Sequence, residues 1–149
     1  MTTIEQPPTA APPRADRPWL HHYEAGVPAE VSVSEIPVDA LLRETARAHP
    51  DRTALIFFGA RTSYAELDQR CDAIAHGLME RGVMRGDRVA LFVRPGVDLI
   101  AITFALFKVG AVPILLDPGL GRASIVASLE RLKPRVLIGV PLAHALRAL

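Results

Sequence analysis

Apolar positions along the chain switch between helical and strand spacing. From Val38 onward, Leu41, Leu42, Thr45, Ala46 and Ala48 recur at the spacing of one helical face, with Asp39 in the first turn where a carboxylate suits the helix dipole. His49-Pro50 ends this helix, because the residue before a proline leaves the helical region. Thr53–Phe58 reads as a β-rich run, Gly59-Ala60 as a turn and Arg61–Ser63 as the returning strand of a short hairpin. Ser63-Tyr64-Ala65-Glu66 matches a capping box, in which the serine and glutamate side chains each satisfy an amide at a helix start. The helix that follows, over Tyr64–Arg81, puts Leu67, Cys71, Ile74, Ala75 and Leu78 on one face, and Gly82 stops it.

A regular alternation then sets in. Arg88–Val93 is too uniformly apolar for a sheet with one wet face. Val97–Val109 is a helix apolar nearly all round, hence predicted to be sandwiched, and Gly110 closes it. Val112–Leu116 reads as a second buried strand. Ser124–Leu132 is a helix with Ile125, Val126, Leu129 and Leu132 inward, ended by Lys133-Pro134. Arg135–Gly139 reads as a third buried strand, and Leu142–Leu149 begins another helix. Strand–helix–strand–helix–strand with short loops predicts an α/β fold whose parallel sheet is joined by right-handed crossovers. No internal repeat interrupts it.

Composition sharpens this picture. The 149 residues are 50% hydrophobic, with mean hydropathy +0.23, which suits one cored domain and excludes a wholly disordered chain. Residues 1–18 hold Pro7, Pro8, Pro12, Pro13 and Pro18 and read as a disordered leader. Residues 19–36 mix the apolar anchors Trp19, Leu20, Tyr23, Val27, Val31 and Val33 with polar positions, as an irregular arm lying across the domain would. Residues 37–149 form the domain proper. Its sequence stops inside an apolar helical pattern, so the expectation is the front portion of a larger protein. The polar, proline-rich start carries no secretory signal. The most apolar stretch, Leu99–Leu116, is broken by Thr103, Lys108, Gly110 and Pro113, and reads as core rather than a membrane span. A net charge of +1 argues against nucleic acid gripped by bulk charge. The single Cys71 excludes a disulfide framework, a Cys-rich zinc site and a CxxC pair, and is compatible with a reducing, cytoplasmic setting.

Candidate chemistry is sparse. Asp117-Pro118-Gly119-Leu120-Gly121-Arg122 follows a strand and precedes a helix, where α/β folds place ligands. As a dinucleotide fingerprint it fails: Ser124 occupies the third glycine position and no acid follows Glu130. A tight turn capped by Asp117 is the simpler reading. Gly82–Arg88 links a helix to a strand, the wrong polarity for a phosphate loop, and reads as a turn with Asp87 and Arg88 as a solvated pair. His21 and His22 are adjacent and point apart in an extended arm. His49 caps a helix end, His76 lies on a polar flank and His144 falls in the last segment, so none converges on a metal. Cys71 lies on a buried helix face, unlike a reactive thiol. No GxSxG elbow exists, and Phe92, Phe104 and Phe107 fit core periodicity.

From Trp19 to Leu149 the chain resembles the N-terminal part of adenylate-forming enzymes, the acyl-CoA synthetases and fatty acyl-AMP ligases. The matching pieces are PWLHHYEAGVP, LLRETARAHPDRTALIFFGARTSYAELD, GLMERGVMRGDRVAL and FALFKVGAVPILLDPG, in order and in register. RPGVDLIAITFALFKVGAVPILLDPGLGRASIV is similar to the subgroup with Asp-Pro-Gly-x-Gly after the second strand, which includes the β-lactone synthetases of olefin biosynthesis. The resemblance implies an incomplete, Rossmann-like first subdomain with a short hairpin and an irregular arm. It implies that the full-length parent activates a long-chain fatty acid, or a 2-alkyl-3-hydroxy acid, with Mg-ATP. The acyl-adenylate then passes to coenzyme A or closes a β-lactone. The implied partners are a fatty-acid substrate, the remainder of the ligase domain, and a membrane surface or pathway enzyme. The family's phosphate loop, magnesium-binding acid and catalytic lysine match nothing here, so no catalytic, cofactor-binding or metal residue is assigned. Asp117, Gly119 and Gly121 stand as a subgroup signature with structural roles. The alternatives are a non-catalytic scaffold remnant of the same family and a nucleotide-binding α/β module of another.

Overall fold

A computed structural model describes residues 17–31, 36–117 and 119–139. The chain divides into two compact units, Met1–Glu35 and Ile36–Leu149. The described part of the first unit holds a 3-10 turn, Pro18–His22, with no buried residue, and an ion pair between Arg17 and Glu30. The prolines before Arg17, Val33 and the helix expected over Leu142–Leu149 lie outside the described residues.

The second unit opens with helix α1, Val38–Ala48. It buries Ala40, Leu42 and Ala46 and leaves Leu41 and Ala48 exposed, which corrects the expected face by about one position. The small Ala40 permits close approach, so the seam runs through the 40–42–46 stripe. His49 does cap the helix, its amide bonding the Thr45 carbonyl at 2.8 Å.

Strands β1, Thr53–Phe57, and β2, Ala60–Ser63, form the antiparallel hairpin. Its turn is Phe58-Gly59 rather than Gly59-Ala60, because Ala60 pairs with Phe57. Ser63 caps helix α2, Tyr64–Glu80, and the capping box closes as expected, with Ser63 Oγ accepting from the Glu66 amide and Glu66 Oε2 from the Ser63 amide. Leu67, Cys71, Ala75 and Leu78 are its buried stripe.

Strand β3, Arg88–Phe92, is central in a parallel sheet ordered β4-β3-β5. Its neighbours are β4, Val112–Leu115, and β5, Val136–Gly139. Helix α3, Val97–Val109, connects β3 to β4, and helix α4, Arg122–Leu132, connects β4 to β5. At the end of α3, Gly110 sits at φ +76°, and a Cβ there would meet Arg85 Cγ at 3.0 Å. Both the turn and the close approach require glycine.

Successive β3 residues serve opposite faces of the sheet. Val89 and Leu91 join Ala75, Leu78, Ala105 and Leu106 under α2 and α3. Ala90 joins Leu116 and Ile125 under α4, with Phe92, Ile114, Leu129 and Leu137 around them. A third cluster, Leu42, Leu67, Cys71 and Ala101, joins α1, α2 and α3. The continuous apolar run of β3 is therefore explained by burial on both faces. β4 departs from the expectation of a buried strand. It is an edge among the described strands, with Val112 48% and Leu115 58% exposed. Helix α3 is sandwiched only in part: Ala101, Ala105 and Leu106 are buried, whereas Ile100 is exposed. Among the described residues no helix is long and apolar enough to cross a membrane.

Candidate functional site

Ligands in open parallel sheets bind beyond the carboxyl ends of the strands, where successive crossovers leave toward opposite faces. Here α3 leaves β3 toward one face and α4 leaves β4 toward the other, so the two loops part above the adjoining ends of these strands. A crevice of about 250 Å3 opens there. Leu91, Val93, Pro95, Leu99, Leu115 and Leu116 make it apolar, and Asp117 is the carboxylate at its rim. The Leu116 amide bonds the Leu91 carbonyl at 2.9 Å, which holds the two strand ends together below it.

Asp117 governs the loop above. Its Oδ1 accepts from the Gly119 amide at 2.7 Å, and its carbonyl accepts from the Leu120 amide at 3.1 Å. A Cβ on Gly119 would come within 3.2 Å of that same Oδ1. Asp117 thus caps a tight turn, as the sequence suggested, but does not cap α4. The N-cap of α4 is Gly121, in extended conformation and with no side-chain cap. Gly121 has open space where a Cβ would stand. Pro118 lies outside the described residues.

The other candidates separate. His76 pairs with Glu80 at 3.3 Å on an exposed flank, His49 ends α1, and His21 and His22 sit in the 3-10 turn. His144 lies outside the described residues. Cys71 is fully buried, and that burial pushes its thiol up to about 11, so it is no nucleophile at neutral pH. Asp87 is not paired with Arg88. Its Oδ2 accepts from the Met84 amide at 2.8 Å and from Arg135 at 2.7 Å, tying the turn before β3 to the start of β5. No group of three His, Cys, Asp or Glu among the described residues could hold a metal ion. The loop amides of Gly119 and Leu120 are committed to Asp117, whose own charge opposes a phosphate. The Gly119 and Leu120 amides are therefore not free to meet a phosphate, and no step involving ATP or magnesium is assigned to this turn. The sequence points to Asp117 but not to the apolar walls from Val93, Pro95 and Leu115. The signal available was an apolar pair, Val93 and Pro95, placed just beyond a buried strand.

Residues 42–148 match the family model described as AMP-binding enzyme. The chain belongs to the AMP-binding enzyme family. Over 123 residues it is 42% identical to an olefin β-lactone synthetase of Xanthomonas campestris pv. campestris, covering 75% of this chain and 22% of that protein. It is 40% identical over 122 residues to the olefin β-lactone synthetase of Stenotrophomonas maltophilia, covering 74% of this chain and 22% of that one. Among solved structures, it is similar to the NpsA N-terminal subdomain of Klebsiella oxytoca, in complex with anthranilyl-AMSN, at TM-score 0.67 and 31% identity over 69% of this chain and 27% of that chain. It is also similar to the N-terminal domain of FACL13 from Mycobacterium tuberculosis, at TM-score 0.70 and 25% identity over 76% of this chain and 30% of that one. The chain spans about a fifth of the length of these curated AMP-binding relatives. The α/β fold and its parallel sheet are those of the N-terminal subdomain of this family.

Proposed function

We propose that this chain is the N-terminal segment of a ligase that activates a long-chain 2-alkyl-3-hydroxy acid with Mg-ATP and closes it to a β-lactone. The observation that carries this reading is the identity of 42% and 40% to two olefin β-lactone synthetases, over 75% and 74% of this chain. In the first half-reaction a carboxylate oxygen bonds the α-phosphorus of ATP and pyrophosphate leaves. In the second, the substrate's own 3-hydroxyl attacks the activated acyl carbon, losing its proton as AMP departs. An intramolecular hydroxyl has a high effective concentration at that carbon, so no external thiol is needed. The role proposed for the described residues is support: a rigid sheet with an apolar crevice at the carboxyl ends of β3 and β4, beside which the rest of the ligase domain assembles. A cytoplasmic setting and a neighbouring pathway enzyme belong to the same reading.

A thioester product is the second reading. It is favoured by the 37% identity, over 82 residues, to a putative acyl-CoA synthetase of Bacillus subtilis, and would make coenzyme A the acceptor. The test supplies the protein expressed from its full reading frame with ATP and either a plain fatty acid or the 2-alkyl-3-hydroxy acid, with and without coenzyme A. NMR of the products is expected to show a β-lactone from the hydroxy acid without coenzyme A. Acyl-CoA from the plain acid and no lactone would overturn the first reading in favour of the second. Neither product would support the scaffold alternative.

A further inference from the structure

We draw no further inference here: the strongest candidate, the apolar groove of about 320 Å3 between α4 and β5 lined by Val126, Leu129, Pro134 and Leu137, carries nothing because nothing in the structure shows what covers it.

Discussion

Lys108 on α3 and Asp68 on α2 are joined at 2.6 Å across the helix pair, with Asp72, one turn further along α2, held by the same ammonium. The side chains of Lys108 and Asp68 are only 11% and 17% exposed. Burial works against the charge on Lys108, but its hydrogen bonds to Asp68 and Asp72 outweigh that and hold its pKa above the usual 10.5. Replacing Lys108 by methionine leaves two carboxylates facing each other, and we expect a loss of about 2 kcal/mol, the partly wet Asp72 screening the rest. Urea unfolding of the variant checks this. In the native protein, a raised folded pKa means that the lysine's contribution is complete below pH 10.5 and is lost as pH rises through the higher folded value.

The capping box of α2 predicts acid sensitivity. The Ser63 backbone amide, then its hydroxyl, hold Glu66 below its ordinary 4.5. A depressed carboxylate contributes stability above pH 4.5 that is lost as pH falls through the lower folded value. Ser63→Ala is expected to cost about 1 kcal/mol at neutral pH. Stability measured between pH 3 and 7 should have a shallower slope in Glu66→Gln, and an unchanged slope would remove Glu66 from the account.

Local chemistry made much of this fold legible. The capping box, the full extent of α3 and the glycine stop at Gly110 depend on residues within a few positions of one another, and sequence spacing reports them directly. The order β4-β3-β5 was not legible, because apolar runs say nothing about which strand lies beside which. Edge exposure of Leu115 follows from that order, so it was missed as well. Arg135 replaced Arg88 as the partner of Asp87 for the same reason: it lies 48 residues away and arrives through the sheet register. Phe58 ends the β-rich run in the sequence pattern, since propensity prefers phenylalanine in a strand over a left-handed turn, whereas its φ of +47° puts it in the turn. At the candidate site, Asp117 and its glycines announced a turn, whereas the crevice walls come from two strand ends that only the parallel pairing brings together.

Core substitutions should scale with burial at β3. Leu91 is 1% exposed and contacts the α2 and α3 side of the sheet. Leu91→Ala is expected to cost about 3 kcal/mol, as a transfer loss plus an unfilled cavity. Ile56→Ala, on the exposed hairpin, should change stability by less than about 0.5 kcal/mol. Thermal unfolding of the two variants side by side compares them, and equal losses would contradict the placement of the core.

Cys71 should behave as a buried hydrophobe. Burial raises its thiol from 9.0 to about 11, with the nearby Lys108 opposing and Asp68 and Asp72 adding to the shift. A raised acid means that stability is complete below pH 9.0 and declines as pH climbs toward 11. At pH 8 the native protein is expected to leave a disulfide reagent unreacted until denaturant is added. Rapid native labelling would show that the α1–α2–α3 cluster opens far more readily than its packing implies.

The last expectation concerns ATP and the 149-residue chain by itself. Phosphate cradles in α/β folds need several uncommitted amides at a strand-to-helix loop and a positive side chain above them. In the strand-to-helix loop after β4, Gly119 and Leu120 donate to Asp117, and the first bonds of α4, from Ser124 and Ile125, return to the Gly121 carbonyl. The Asp117 carboxylate places a negative charge where a phosphate oxygen would have to come. Calorimetric titration with Mg-ATP is therefore expected to show no saturable binding in the micromolar range. Asp117→Asn should relieve the repulsion without creating a site, because the Gly119 amide remains bonded to the side-chain oxygen. Micromolar binding by the native chain, lost on substitution within residues 119–123, would instead place a nucleotide site at this turn.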